Sequence, residues 1–318
     1  MPKIAVVQKK PIFLDKLASI NLAIETVQEA ASHGAELVVF TETFIPGYPA
    51  WIWRLKPGGD WNTTEALYKR LWESSVLIDN DLEGLCAAAE KHQVTVVCGI
   101  EERDNQLGRS TLYNSIVVIG PEGKLLNRHR KLMPTNPERM VWGFGDASGL
   151  NVVASPAGRL GTLLCWENYM PLARYALYAQ GVEIYIAPTY DSGENWLGSL
   201  RHIAREGRCW VIGCGNLLQG MDLPDDLPGK EQMYPEADEW INPGDSVIIS
   251  PDGEIVAGPL NKAAGTLYHD IDLQQVATAR RTLDVTGHYA RPDIFTLHVD
   301  TSPQSPVHFE KDDPATNN

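Results

Sequence analysis

The chain has 318 residues, 43% of them hydrophobic and 21% charged, so it can bury a sizeable core as one large domain or two modest ones. Its formal net charge of −14 argues against a broad cationic surface, so we expect no nucleic-acid or membrane partner. Five cysteines, an odd number without a CxxC pair, argue against a disulfide framework or a zinc site and indicate reduced thiols.

The apolar runs are short. VVF before Thr41 and IVVIG ending at Gly120 fall far below the roughly 18 residues of a membrane helix. The opening stretch MPKIAVVQKK has too short an apolar segment for a secretory signal and leads straight into a predicted strand. We therefore expect a cytoplasmic protein.

The first part of the chain alternates predicted strands and helices. KIAVVQ is a strand-like run, and apolar residues at spacings of three and four from Leu17 predict an amphipathic helix that ends at Gly34. LVVF, from Leu37, predicts a buried strand that leads into the loop TETFIPGYP. After a tryptophan-rich stretch come a predicted helix at about 81–92 and the strand TVVCGIEER. LYNSIVVIG and KLLNRHRK, on either side of PEG, predict a hairpin.

The second part continues this pattern. RLGTLLC and VEIYIAP predict strands on either side of a helix that begins at Pro171, and the helical WLGSLRHIAREGR precedes the strand CWVIGCGN. DSVIIS and EIVAG, around PDG, predict a second hairpin, and GTLYHDIDL predicts one more strand. Two hairpins within the alternation favour an α/β or α+β layered fold with mixed sheets covered by helices.

No composition break divides the chain before about residue 285. We predict a single domain over residues 1–285 and a C-terminal extension over residues 286–318. The extension ends in TSPQSPVHFEKDDPATNN, a polar tail with too few apolar residues to pack alone.

The common cofactor and metal motifs are missing from the sequence. GFGDASG, at 143–149, has the wrong glycine spacing for a dinucleotide fingerprint, and no GxxxxGK[ST] occurs. The eight histidines show no HExxH or similar spacing, which disfavours a metal site. A Cys–His protease pair stays open on this ground alone.

Three predicted strand ends carry reactive side chains. Glu42 follows LVVF, Lys131 follows KLLNRHR, and Cys165 follows RLGTLL. Loops at strand ends are where rigid scaffolds present catalytic groups. Each residue also has an ordinary interpretation: a capping carboxylate, part of a basic face, or a small core thiol.

Three motifs in order make the pattern specific. TETFIPGYP, HRKLMPTNPER and CWENYMPLARYAL closely resemble the signature regions of the nitrilase superfamily, specifically its true nitrilase branch, and GHYARPD resembles a further C-terminal segment of that branch. The resemblance runs from about Lys3 to Phe295 and implies a four-layer α-β-β-α sandwich. One departure is Thr41, which stands where the family commonly has Pro.

The resemblance also implies a site in which a Glu, a Lys and a Cys converge near a second Glu. Residue by residue these are Glu42, Lys131 and Cys165, with Glu138 as the second carboxylate. A nitrile carbon is a modest electrophile, so a thiolate at Cys165 suits the attack. Glu42 suits the general base and Lys131 the stabilisation of developing negative charge. Glu138 would hold Lys131 or a proton relay in place.

Two aromatic residues, Trp166 and Tyr48, are candidates for lining a substrate pocket, although aromatic residues in such positions are more often core. Glu167, two residues after Cys165, fits a structural ion pair or an interface equally well. We leave Glu167 outside the predicted catalytic set.

The sequence therefore predicts a nitrilase that converts a small organic nitrile to the carboxylic acid and ammonia through a thioimidate and a thioester on Cys165, without a metal or an organic cofactor. The resemblance implies a homo-oligomer, a dimer or larger, up to a spiral. The alternatives are an amidase or carbamoylase of the same superfamily and a catalytically silent oligomeric scaffold. Intact Glu42, Lys131 and Cys165 argue against the scaffold.

Overall fold

The computed structural model describes residues 1–56, 58–104, 110–305 and 307. They form strands β1 (Lys3–Gln8), β2 (Leu37–Val39), β3 (Thr95–Arg103), β4 (Leu112–Ile119), β5 (Leu125–Arg130), β6 (Val153–Ser155), β7 (Gly158–Thr162), β8 (Ile184–Thr189), β9 (Trp210–Gly215), β10 (Leu217–Gln219), β11 (Trp240–Ile249), β12 (Ile255–Asn261) and β13 (Gly265–Asp270). The helices are α1 (Lys16–Ser32), α2 (Trp61–Glu73), α3 (Ile78–Asp81), α4 (Glu83–His92), α5 (Pro171–Ala179), α6 (Glu194–Gly207), α7 (Lys230–Met233) and α8 (Gln274–Arg280).

The strands make two sheets. The first has six strands in the order β13-β1-β2-β3-β4-β5, and the second has seven, with the path β10-β11-β9-β8-β7-β6 and β12 paired to β11. In each sheet the three central strands are parallel, β1-β2-β3 and β7-β8-β9, and antiparallel strands flank them. Both sheets are therefore mixed.

Alternation along the strands explains the layers. On β1, Ala5 and Val7 belong to an apolar cluster with residues of α1 and α4, whereas Ile4 and Val6 belong to a cluster that includes Ile184 of the opposite sheet. Successive side chains of a strand point to opposite faces, so a strand covered on both faces is apolar throughout. The other face of the second sheet packs against α5 and α6. The order of layers is α-β-β-α.

The predicted fold class is thus confirmed, and both predicted hairpins are present as β4–β5 and β11–β12. The helix predicted at 81–92 begins two residues later, at Glu83, after the short α3. Helix α2 begins at Trp61, where the tryptophan-rich stretch YPAWIWRLKPGGDW ends, and the sequence pattern does not predict it. Among the described residues, no helix combines the length and apolar character needed to cross a membrane.

The C-terminal extension follows α8 along the second sheet's helical layer. Leu297 packs against the apolar cluster that contains α5 and α6, and the Gln304 N–H donates to Asp146 Oδ2 at 2.9 Å. The predicted division at residue 285 stays a prediction. Residue 306 and residues 308–318 of the predicted tail lie outside the described residues.

Candidate active site

Four side chains meet where strands of the two sheets end. Lys131, directly after β5, donates from Nζ to Glu42 Oε1 at 2.9 Å and to Glu138 Oε2 at 2.8 Å. One carboxylate oxygen of each glutamate and the Sγ of Cys165 lie within 4.8 Å of one another. All four residues are buried. The structure therefore brings together the residues that the sequence predicts as catalytic.

Neighbouring donors fix the Glu42 carboxylate. Asn114 Nδ2, on β4, donates to Oε1, and the Tyr190 N–H, directly after β8, donates to Oε2, both at 2.6 Å. Asn216 Nδ2 holds the Glu42 backbone carbonyl at 2.9 Å. The sequence pattern does not identify these three residues, although Tyr190 directly follows β8 and Asn216 directly follows β9, which is the strand-end signal used for the other residues.

Glu138 is held by the turn on which it lies. The turn Asn136–Met140 follows Thr135, whose N–H donates to Glu138 Oε2 at 2.6 Å. A carboxylate three residues after Thr can reach back to the backbone in this way at the start of a helical turn. The Tyr48 hydroxyl donates to Oε1 at 2.6 Å. Both carboxylate oxygens of Glu138 are thereby oriented, with Oε2 towards Lys131.

Cys165 begins a short helical turn, Cys165–Tyr169, with a φ of +49°. The left-handed region is uncommon for residues other than Gly, Asn and Asp, and such strain concentrates at functional sites. Burial raises the pKa of the Cys165 thiol, Glu42 raises it further, and Lys131 opposes both. The resting group is a thiol, so attack on a substrate requires a base nearby.

Burial alone would lower the pKa of Lys131, but the acidic groups around it, Glu42 first, outweigh burial and raise it. Lys131 therefore stays an ammonium at neutral pH. Burial raises the pKa of Glu42 above that of an ordinary glutamate, with Lys131 opposing the shift. A carboxylate with a raised pKa is a better proton acceptor for the Cys165 thiol.

A cavity of about 260 Å³ opens beside Cys165. Its lining includes both residues predicted to bind substrate, Tyr48 and Trp166, and also Trp53, Tyr190, Asp191 and Asn242. The Tyr48 and Tyr190 rings stack with centroids 3.8 Å apart, and Trp166 Nε1 donates to Asp191 Oδ2 at 2.8 Å. The role of Tyr48 and Trp166 in binding substrate stays a prediction. A larger cavity over α6 shares no residue with this one and does not contain the reactive groups.

The cluster of Glu42, Glu138 and Cys165 has a spacing that a metal ion could also use. Lys131 already supplies the cation here, because its Nζ lies within hydrogen-bond distance of both carboxylates. A second positive charge would be repelled at close range. The arrangement therefore fits an acid–base site with a lysine charge better than a metal site.

Comparisons with known proteins agree on the family. The profile of the family described as "Carbon-nitrogen hydrolase" matches residues 3–281. A bifunctional nitrilase/nitrile hydratase of Lupinus angustifolius is 40% identical over 312 residues, which cover 96% of this chain and 87% of that protein. Nitrilase 2 of Arabidopsis thaliana is 39% identical over 313 residues, covering 96% and 90% of the two chains.

The solved structures support the fold. A carbon-nitrogen hydrolase from Helicobacter pylori superposes with a TM-score of 0.70 at 21% identity, covering 92% of this chain and 96% of that one. The chain belongs to the carbon-nitrogen hydrolase family, the nitrilase superfamily. Its similarity to plant nitrilases at about 40% identity confirms the predicted resemblance to the nitrilase branch.

Proposed function

We propose that the protein is a nitrilase that hydrolyses a small organic nitrile to the carboxylic acid and ammonia. The observation that carries the proposal is a buried cluster. The Lys131 ammonium is bonded to Glu42 and Glu138, and an oxygen of each carboxylate lies within 4.8 Å of the Cys165 Sγ at the edge of the cavity. Among the substrates of the family, we choose nitriles because relatives at about 40% identity are named nitrilases.

The first half of the reaction forms a covalent intermediate. Glu42 takes the Cys165 proton as sulfur attacks the nitrile carbon, and one C–N π bond becomes the lone pair of the substrate nitrogen. Lys131 stabilises that developing charge. Glu42 then gives the thiol proton to the nitrogen, which makes a neutral thioimidate and restores the Glu42 carboxylate. The left-handed turn at Cys165 presents Sγ to the cavity.

The second half needs two waters. Glu42 takes a proton from the first water as its oxygen adds to the thioimidate carbon, and passes that proton to the nitrogen. The proton of the new hydroxyl group follows the same path to the amine, which leaves as ammonia as the C=O bond of the thioester forms. A second water, activated in the same way, releases the acid and restores the thiol. Expulsion of the thiolate after the first addition would give the amide. Glu138 favours the acid by helping to keep the leaving amine protonated.

The test is ammonia release from aliphatic, arylaliphatic and aromatic nitriles, with the matching amides run in parallel. We expect turnover of at least one nitrile class, with acid as the main product, and no turnover in Cys165→Ala because the covalent path is lost. Cys209→Ala is the matched control, since Cys209 is equally buried but lies in the cluster under α6. It should keep the rate and lose about 1 kcal/mol of stability.

Three results would contradict the proposal. Substantial nitrile turnover in folded Cys165→Ala would remove the covalent mechanism. Turnover of amides without turnover of any nitrile would make the protein an amidase or carbamoylase of the same family. Loss of both activities in the unaltered chain would favour the silent scaffold.

We further propose a cytoplasmic homo-oligomer, a dimer or larger. Large apolar side chains that are well exposed in the single chain support the assembly, among them Trp61, Leu172 and Phe295. Such residues are enriched in interfaces between subunits. All five cysteines are free, as is usual for proteins of reducing compartments. Light scattering that gives the mass of one chain would contradict the oligomer, and cell fractionation tests the location.

A further inference from the structure

A buried carboxylate outside the predicted catalytic set contacts both of the segments that carry Lys131 and Cys165. Glu167 Oε1 accepts the N–H of Leu132 at 2.6 Å, and Oε2 accepts the N–H of Leu164 at 2.7 Å. Leu132 directly follows Lys131, and Leu164 directly precedes Cys165. One side chain thus ties the end of a strand in the first sheet to the end of a strand in the second.

The orientation of this carboxylate is itself fixed. His129 Nε2, on β5, lies 3.1 Å from both carboxylate oxygens, and both side chains are fully buried. Because a carboxylate only accepts, His129 carries its proton on Nε2. Its buried Nδ1 has no hydrogen-bond partner among the described residues. Glu167 therefore has one orientation, and both of its oxygens are committed.

Glu167 also closes the turn that contains Cys165. Its N–H donates to the Leu164 carbonyl at 3.0 Å, while its carboxylate accepts the Leu164 N–H. Both bonds join the residue before Cys165 to the second residue after it. They therefore enclose Cys165, whose φ is +49°. A strained backbone conformation persists only where surrounding contacts over-determine it.

We propose that Glu167 is a positioning residue, which sets the distance of Cys165 from Lys131 by holding the backbone on both sides of the site. Glu167 does not line the cavity beside Cys165, so it acts through the backbone and not on the substrate. The inference rests on the proposed reaction at Cys165, in which sulfur and ammonium must reach the same nitrile group. A misplacement of about 1 Å between reacting groups costs rates on the order of a hundredfold.

The test is Glu167→Gln. Its amide oxygen can replace one acceptor, but its NH₂ group faces the other backbone N–H, so one of the two segments is released. We expect kcat to fall about tenfold to a hundredfold, with a much smaller change in KM. The rate at which iodoacetamide alkylates Cys165, mapped by mass spectrometry across pH 6–10, should fall too, with an altered pH profile.

Glu167→Asp is the second variant, because its carboxylate keeps the charge but is too short to reach both N–H groups. Glu102→Gln is the matched control: Glu102 is a buried carboxylate bonded to Ser115, Arg128 and Arg130. It should lower the melting temperature to a similar extent and leave kcat and the labelling profile unchanged.

Wild-type kcat and labelling in folded Glu167→Gln would overturn the inference, and so would failure of both Glu167 variants to fold, since Glu167 would then be a requirement of the fold. The labelling measurement is independent of the proposed substrate. If the unaltered chain turned over no nitrile, the proposed function would be wrong, but the alkylation rates of Cys165 would still test the positioning role of Glu167.

Discussion

Lys131 is the residue on which the candidate site depends, because its single positive charge serves two buried carboxylates. Its side chain is fully buried and is bonded to Glu42 and Glu138, whose side chains are equally inaccessible. Removing one partner of a buried charged group leaves the others uncompensated, which costs about 3–5 kcal/mol. In the proposed reaction, stability and catalysis are therefore linked at Lys131.

We expect Lys131→Met, which keeps the length of the side chain and removes its charge, to lower kcat at least about a hundredfold. The free energy of unfolding should fall by about 3–5 kcal/mol, because Glu42 and Glu138 then face each other without a cation. Steady-state kinetics and urea unfolding measure the two effects.

The double variant Lys131→Met with Glu138→Gln separates these contributions. Removal of one carboxylate charge should restore part of the lost stability, because only Glu42 then stays uncompensated. The activity should stay low, since the charge that stabilises the substrate nitrogen is still missing. A double variant with restored activity would contradict the role assigned to Lys131.

At the scale of elements, the strand β3 supports the loop that carries Glu42. A Cβ at Gly99 would lie 2.3 Å from the Thr41 carbonyl oxygen, 2.5 Å from the Thr43 nitrogen and 2.8 Å from the Glu42 Cα. All three contacts are to backbone, so no side-chain rotation can relieve them. Gly99 is therefore required for the close approach of this loop to the sheet.

We expect Gly99→Ala to push the loop away from β3 and to reduce kcat about tenfold or more, since it moves Glu42 relative to Cys165. Gly198→Ala is the control, because a Cβ at this position of α6 meets nothing within 4 Å. That variant should gain up to about 1 kcal/mol of stability from better helix propensity and keep its activity. Unchanged kinetics in Gly99→Ala would show that the loop adapts.

The elements also explain which parts of the site are predictable. Glu42, Lys131 and Cys165 lie within three residues of the ends of β2, β5 and β7, and strand ends are visible in the sequence. Asn114 lies in the middle of β4, and its contact with Glu42 depends on how β4 pairs with β3, where Asn114 lies opposite Glu101. That register is a tertiary property, so the sequence pattern alone does not indicate it.

The sequence pattern does not predict helix α2 for a related reason. Within Trp61–Glu73 only Leu67 and Leu71 are buried, so its apolar stripe is narrow, and the exposed Trp61 disturbs the pattern.

For Glu167, the position is visible in the sequence but the contacts are not. Its position two residues after Cys165 is evident from the sequence, but its two backbone partners are brought together only when both sheets pack.

On the scale of the whole molecule, each of the three interfaces between the four layers of the sandwich contains a buried thiol. Cys98 lies between the first sheet and its helices, Cys214 between the two sheets, and Cys209 between the second sheet and its helices. Burial raises the pKa of each of these thiols, to about 12 for Cys209 and Cys214. Each of the three interfaces therefore contains a thiol that ionises more readily in the unfolded chain than in the folded one.

Because of these raised pKa values, the free energy of unfolding should fall as the pH rises. A thiol in the unfolded chain ionises near its ordinary pKa of about 8.5, whereas the buried thiols stay protonated well above that pH. Their contribution to stability is complete below the unfolded pKa and is lost as pH rises towards about 12, the folded pKa of Cys209 and Cys214. Between these limits each thiol lowers the free energy of unfolding by about 1.4 kcal/mol per pH unit.

We therefore expect urea unfolding between pH 7 and pH 10.5 to show a stability that is level at first and declines from about pH 8.5. Cys209→Ala combined with Cys214→Ala removes two of the groups, so the decline of this variant should be shallower by about two thiol equivalents, even though its stability at pH 7 is lower. The slope, unlike the absolute stability, is insensitive to the cavities that the substitutions create, because a cavity does not titrate. Equal slopes in the two proteins would mean that these thiols ionise alike in the folded and unfolded chains, which would contradict their burial in the layers of the sandwich.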